Sequence, residues 1–246
     1  MIHTAVVLAA GMGTRLRSVI GEKPKGLLPW EGRSLIDHSI LRLSRTAVNT
    51  LIMVVGYEAE QYIQTLNHAS LDIQFIVNPD YASTGSMHSL SLCAGQVKEN
   101  FFLLESDLLY EQRALETLGR APDKDLVLLS GPTLAGDEVY VYGRNKTIEA
   151  VSKKKLDLPL LGELVGISKI SLPLFEKMGE HYRARPIDPQ YDYELCLAEV
   201  SPSHPVRTCT LQDLAWVEID NAEHLDRARR LVGPRIKQNE SAYGQA

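Results

Sequence analysis

The chain lacks any apolar run of roughly 18 residues, so no membrane-spanning helix is expected. Its first residues enter a strand-like run at once, without a basic region and cleavage site, so they do not read as a secretory signal. Cysteine is scarce. Cys93, Cys196 and Cys209 are odd in number, widely spaced and form no C-x-x-C pair. That excludes a disulfide framework and a zinc ribbon, and points to reduced, mostly buried thiols in a cytoplasmic protein. Basic charge is not in excess: 26 Lys and Arg face 31 Asp and Glu, for a net charge of -5. Non-specific nucleic-acid binding and docking to anionic membranes are therefore disfavoured. No linker rich in Pro, Gly or Ser and no internal repeat breaks the chain. What remains is 246 residues, 44% hydrophobic and 23% charged, enough for one large domain with a real core.

Two common phosphate loops are also missing. No G-x-x-x-x-G-K-[ST] occurs, and in the one G-x-G the dinucleotide fingerprint fails, because Leu16 stands where a glycine is needed. The opening instead reads Val6-Val7-Leu8-Ala9-Ala10-Gly11-Met12-Gly13-Thr14-Arg15-Leu16, followed by Lys23-Pro24-Lys25-Gly26. A buried strand that ends in Gly-x-Gly lets the backbone approach a phosphate. Arg15 can fork onto phosphate oxygens, and Lys25 adds a point charge. The alternative is an ordinary turn with a solvated basic pair, and Arg17 and Lys23 fit that description.

Apolar spacing predicts strands over 4–10, 51–55, 73–77, 101–104 and 126–130. Helices are predicted over 34–47, 58–67, 86–96 and 111–119. The alternation implies an α/β fold with a doubly wound, Rossmann-like, mostly parallel sheet. Ligands of such sheets sit at the carboxyl ends of strands. The glycine loop, Asn78-Pro79 and Asp107 all fall there. After residue 131 the pattern changes to a hairpin around Gly143-Arg144-Asn145-Lys146, a strand over 164–171, a helix over 172–182, a strand over 216–220 and a helix over 222–232. One domain over 1–237 is expected, with 238–246 as a flexible tail.

Asp107 and Asp220 each end a strand and could converge across a cleft as oxygen ligands for Mg²⁺. Each could instead cap a following helix. His88 reads as a packing histidine rather than a base.

The string L-A-A-G-x-G-T-R-L with P-K nine residues on resembles the signature of the sugar-phosphate nucleotidyltransferase superfamily. The resemblance covers nearly the whole chain and is looser over 110–160. It implies transfer of a nucleotidyl group from a nucleoside triphosphate, with Mg²⁺ on Asp107 and Asp220 and with Arg15 and Lys25 as catalytic clamp. It further implies nucleotide contacts at Leu8, Ala9, Ala10, Gly11, Gly13, Thr14, Asn78, Thr84, Gly85, Ser86, Met87 and Ser106. Residues 1–131 would carry the nucleotide, and 132–237 would form a small acceptor-binding β lobe. Members commonly dimerise, although this sequence marks no interface.

Within that superfamily the chain further resembles the small cytidylyltransferases that activate amino-alcohol phosphates or phosphonates. Trimethylammonium prefers an aromatic cage. Where choline enzymes place a tryptophan, this chain reads Gly136-Asp137-Glu138-Val139. An acidic group suits a primary ammonium, with its three donors. CTP and 2-aminoethylphosphonate are therefore the expected substrates. Lys153 is expected on the phosphonate, although Ser152 replaces the family's glutamate before it. Glu138, Glu163, Asp192, Tyr193 and Glu194 are expected around the ammonium, each weighed against a plain surface role. Tyr191 and Tyr193 could still form a partial cage for phosphocholine. A sugar 1-phosphate acceptor and a non-catalytic nucleotide sensor are the other readings.

Overall fold

The computed structural model describes residues 1–66, 71–185 and 188–243. Four apolar strands form its first half: β1 (Thr4–Ala9), β4 (Thr50–Val55), β5 (Asp72–Val77) and β6 (Phe101–Glu105). Their order is β5-β4-β1-β6, all parallel. The chain leaves β1 in one direction for β4 and β5 and returns on the other side as β6. The sheet therefore reverses between β1 and β6, where a crevice opens at the strands' carboxyl ends. Burial on both faces explains the unbroken apolar run of β1. Val6 and Leu8 enter one core, while Ala5, Val7 and Ala9 enter the other.

Between β1 and β4 lie α1 (Arg17–Ile20), the two-residue strands β2 (Pro29–Trp30) and β3 (Arg33–Ser34), and α2 (Leu35–Leu43). A capping box starts α2: the Asp37 N–H donates to Ser34 Oγ, and the Ser34 N–H donates to the Asp37 carboxylate. Next come α3 (Ala59–Thr65) and α4 (Ser86–Ser91). The helix expected to end at Asn67 stops at Thr65, and Asn67 lies outside the described residues. The helix expected over 86–96 is cut to one and a half turns.

The second half extends the sheet. After β7 (Leu108–Tyr110) and α5 (Arg113–Arg120) come β8 (Leu126–Ser130), β9 (Tyr140–Arg144), β10 (Thr147–Ser152) and β11 (Leu160–Ile170). Helices α6 (Leu172–Ala184) and α7 (Tyr193–Val200) lead to β12 (Arg207–Leu211) and β13 (Trp216–Glu218). Among the described residues one sheet has nine strands, in the order β5-β4-β1-β6-β11-β8-β12-β10-β9. β11 runs antiparallel between β6 and β8. The predicted hairpin is β9–β10, turned by Asn145 and Lys146 at φ 52° and 60°. It continues the main sheet through β12 rather than standing apart.

The chain ends in α8 (Ala222–Arg227), one wide turn over Ala228–Val232, and α9 (Gly233–Tyr243). Residues 238–243 of the expected flexible tail are thus helical. Glu240 accepts from the Arg42 guanidinium at 3.0 Å and from the Gln112 N–H at 3.1 Å, which docks that turn. A third apolar cluster joins Leu16, Trp30 and Leu35 to Val217, Ile219, Leu225 and Val232. It presses β13, α8 and the wide turn onto the segment that follows the glycine loop. Among the described residues no helix is long and apolar enough to cross a membrane. Cys93 and Cys196 are buried, and burial pushes both thiols up to about 12, so they are inert packing groups.

Candidate active site

A cavity of about 330 Å³ opens at the carboxyl ends of β1 and β6. β7 and β13 explain why two distant aspartates meet there. They pair antiparallel, Glu218 opposite Leu108, and the Ile219 N–H donates to the Asp107 carbonyl at 3.0 Å. Asp107 precedes one strand and Asp220 follows the other, so the pairing sets them side by side. Neither caps a helix by its side chain: Asn221 caps α8, accepting from the His224 N–H.

Lys25 reaches between the two carboxylates. Its ammonium pairs with Asp107 and, at 2.5 Å, with Asp220, which also receives the Arg15 guanidinium at 2.6 Å. Gly13 makes room for that reach. At φ 57° it adopts a backbone that disfavours side chains, and a Cβ there would lie 2.5 Å from Lys25 Cγ. Burial alone would lower the Lys25 ammonium, but Asp107 and Asp220 outweigh it and hold it above its ordinary value. Burial likewise raises Asp220, and Lys25 more than reverses that.

Two further carboxylates complete the cluster. Oxygens of Glu105, Asp107 and Glu218 all lie within 4.8 Å of one another. Burial, then Asp107, pushes Glu105 up to about 7, and burial with Glu105 and Asp107 pushes Glu218 well above the carboxylate range. Four carboxylates thus face two cations. The set is all hard oxygen donors, and a divalent ion such as Mg²⁺ would supply the positive charge that lets the two raised glutamates ionise. Strand alternation could have revealed the extra pair, because residues two apart on a strand share a face.

Of the residues expected to contact the nucleotide, Leu8, Ala10, Gly11, Arg15, Lys25, Thr84, Gly85, Ser86 and Ser106 line the cavity. Ala9 does not, since its side chain enters the opposite core. Gly13 lies beneath Lys25, and Thr14 is exposed in the turn that follows. Met87 is core, at 0% exposure. Asn78 is fully buried behind the wall, donating to Thr84 Oγ1 at 3.2 Å and Ser89 Oγ at 3.0 Å, so it organises the loop. The N–H groups at the start of α4 are already engaged. Asp192 accepts from Ser86, and the Tyr191 carbonyl accepts from Met87. Gly85 permits this approach: a Cβ would lie 2.5 Å from the Tyr191 oxygen. His88 bonds the Tyr182 hydroxyl at 3.2 Å and packs outside the cavity.

On the other side, Lys153, Glu138, Glu163, Asp192 and Glu194 line the cavity. Lys153 is exposed at its rim. Burial, with Asp192 and Glu105, pushes Glu194 up to about 8. Burial raises Glu163, whose oxygen accepts the Thr133 N–H at 2.8 Å. Burial would raise Glu138 too, but donation by the Gly136 N–H holds it below the ordinary value. Tyr193 is not a lining residue. It is 1% exposed and donates its hydroxyl to Glu105 at 2.8 Å, bracing that carboxylate from behind. Tyr191 is also buried, stacked on Tyr182 and covered by the Arg185 guanidinium at 4.1 Å. The aromatic cage that these two tyrosines could have made is therefore absent. Tyr81, Trp216 and Arg227 line the cavity without having been anticipated.

Among solved structures, the inositol-1-phosphate CTP transferase from T. maritima aligns with a TM-score of 0.83 at 21% identity, over 96% of both chains. The CTP:phosphocholine cytidylyltransferase from Streptococcus pneumoniae gives 0.74 at 20% identity, over 94% of this chain and 99% of the other. These likenesses establish the α/β architecture. The CMP-5'-(3-aminopropyl)phosphonate synthase of Streptomyces rubellomurinus is 31% identical, over 98% of this chain and 41% of its own length. A bifunctional IPC transferase and DIPP synthase of Thermococcus kodakarensis is 27% identical, over 93% of this chain and 50% of its own. The chain spans about half the length of these curated relatives. Residues 5–185 match the MobA-like NTP transferase domain, and the chain belongs to that family of nucleotidyltransferases.

Proposed function

We propose that the chain is a cytidylyltransferase that moves CMP from CTP to 2-aminoethylphosphonate, giving CMP-2-aminoethylphosphonate and pyrophosphate. The carrying observation is the acceptor wall. It offers Glu138, Glu163, Asp192 and Glu194, while Tyr191 and Tyr193 are buried away from it. Carboxylates answer a primary ammonium and an aromatic cage answers a quaternary one. The phosphonate-directed relative from Streptomyces rubellomurinus supports the same substrate class.

The nucleotide lies along Leu8–Gly11, with its base toward Thr84–Ser86. Asp107 and Asp220, joined by Glu218 and Glu105, would hold Mg²⁺. The ion would neutralise the triphosphate and draw charge from the α-phosphoryl oxygen. Lys153 steers the phosphonate to the rim. A phosphonate oxygen is already anionic, so no base is needed. It forms the new bond to the α-phosphorus as the bond to the bridging oxygen breaks and pyrophosphate leaves. Arg15 and Lys25 stabilise the charge that builds on the leaving group. Residues 1–131 would thus carry the nucleotide and 132–237 the acceptor.

Pyrophosphate release with CTP tests this against 2-aminoethylphosphonate, 3-aminopropylphosphonate, phosphocholine and glucose 1-phosphate. The reading requires the aminoalkylphosphonates to win. Preference for phosphocholine or the sugar would overturn the acceptor, and preference for another triphosphate would overturn the nucleotide.

A further inference from the structure

Residues 131–139 form one lip of the cavity, with Thr133, Ala135, Asp137 and Glu138 facing it. The segment belongs to no strand until β9 begins. Two of its residues, Leu134 and Gly136, have φ of 58° and 101°. Such a backbone does not hold itself over a substrate. Its ties come from two sources. Glu163 on β11 accepts the Thr133 N–H at 2.8 Å. The other ties come from α8: Arg227 donates to the Thr133 carbonyl at 2.5 Å, and His224 Nε2 lies 3.3 Å from Asp137 Oδ1.

His224 is 4% exposed, and both of its ring nitrogens are engaged. Nδ1 accepts the Asp220 backbone N–H at 3.4 Å, so Nε2 is the nitrogen that carries a proton toward Asp137. One imidazole therefore spans from the backbone of the phosphate-side carboxylate to a side chain on the acceptor-side lip. Asn221 fixes the histidine's own N–H at 2.9 Å, so the bridge rests on a capped helix end.

We propose that His224 is a positioning residue that couples the two halves of the site, holding the 131–139 lip over the acceptor through Asp137 while steadying Asp220. This rests on the acceptor binding beneath that lip, as in the function proposed above. The two ring nitrogens make separable predictions. In His224→Asn the amide oxygen stands near Nδ1 and keeps the bond to Asp220, but the side chain no longer reaches Asp137. Acceptor KM should rise about tenfold, the usual worth of one such bond, with CTP KM unchanged. In His224→Gln the amide nitrogen stands near Nε2 and keeps the lip tie. Acceptor KM should return toward wild type, while kcat falls because Asp220 is less well held.

Asp137→Ala cuts the same tie from the half-buried lip, where it does not disturb the core, and should reproduce the His224→Asn effect. The double variant Asp137→Ala/His224→Asn should be no worse than either single one. Hydrogen exchange over 132–138 reads the tie without turnover, and should quicken in both single variants. Additive effects in the double variant, an equal rise in CTP KM, or unaltered exchange would overturn the coupling. If wild-type enzyme uses no aminoalkylphosphonate but exchange still quickens, the acceptor assignment fails and the tie stands.

Discussion

Replacing Lys25 with methionine separates what the ammonium does for stability from what it does for turnover. Its side chain is 17% exposed and pairs with two carboxylates that are themselves 7% and 9% exposed. Removing one partner of a buried pair costs about 3–5 kcal/mol, because the other charge is left uncompensated. Arg15 still serves Asp220, so the lower end applies, about 3 kcal/mol. In a chain of this size each kcal/mol moves Tm by about 2–4 °C, so Lys25→Met should melt about 6–12 °C lower without divalent ions. The same carboxylates would then be open to Mg²⁺ without a competing ammonium. At a hundredfold excess over Kd, binding recovers about 2.7 kcal/mol, most of the loss. Thermal unfolding with and without saturating MgCl₂ measures this. Turnover should stay about 10²–10³-fold low even in magnesium, because the proposed clamp on the leaving phosphates is gone. An undiminished Tm without magnesium, or a loss that magnesium does not reduce, would refute the reasoning about the cluster. Wild-type turnover would refute the clamp.

Glu194 gives a pH prediction. Its carboxyl is raised to about 8, so its contribution to stability is fully present below the ordinary carboxylate range and is lost as pH rises through about 8. Urea unfolding across that window should show stability falling, and Glu194→Gln should flatten the fall. The same ionisation should make acceptor KM drop between about pH 6 and 8.5, a trend absent in Glu194→Gln. Lys153→Ala should raise acceptor KM about tenfold and leave CTP KM unchanged in steady-state kinetics, as loss of one charged phosphonate contact. Gly85→Ala should lower both Tm and nucleotide affinity, since its Cβ would meet the Tyr191 carbonyl that closes the start of α4.

The strand ends were legible because buried parallel strands are continuous apolar runs and ligand loops follow their carboxyl ends. β1 and β6 announced themselves this way, and so did the aspartate that follows β6. β12 was hidden: Arg207-Thr208-Cys209-Thr210-Leu211 has neither an unbroken apolar run nor a charged alternation. α7 was hidden behind Asp192-Tyr193-Glu194, polar residues that read as loop yet open a helix whose first turn faces the cavity. Glu105 and Glu218 stood in view two residues from the aspartates, and only the strand period separates them from solvent-facing acids. Arg227 and His224 carried no local signal, because a basic residue on a surface helix is common and only the fold brings α8 to the lip. β11 enters antiparallel between β6 and β8 because the chain returns from the β9–β10 hairpin directly, without a crossover helix, which no local pattern encodes.

The proposed reaction makes a bond between a phosphonate oxygen and the α-phosphorus of CTP. Phosphorus NMR of the enzyme with CTP, MgCl₂ and 2-aminoethylphosphonate tests it most directly. The phosphonate signal should shift and couple to a new phosphate signal as pyrophosphate accumulates in equal amount. An unchanged phosphonate signal while CTP is consumed, or no consumption of CTP by a folded enzyme, would contradict it.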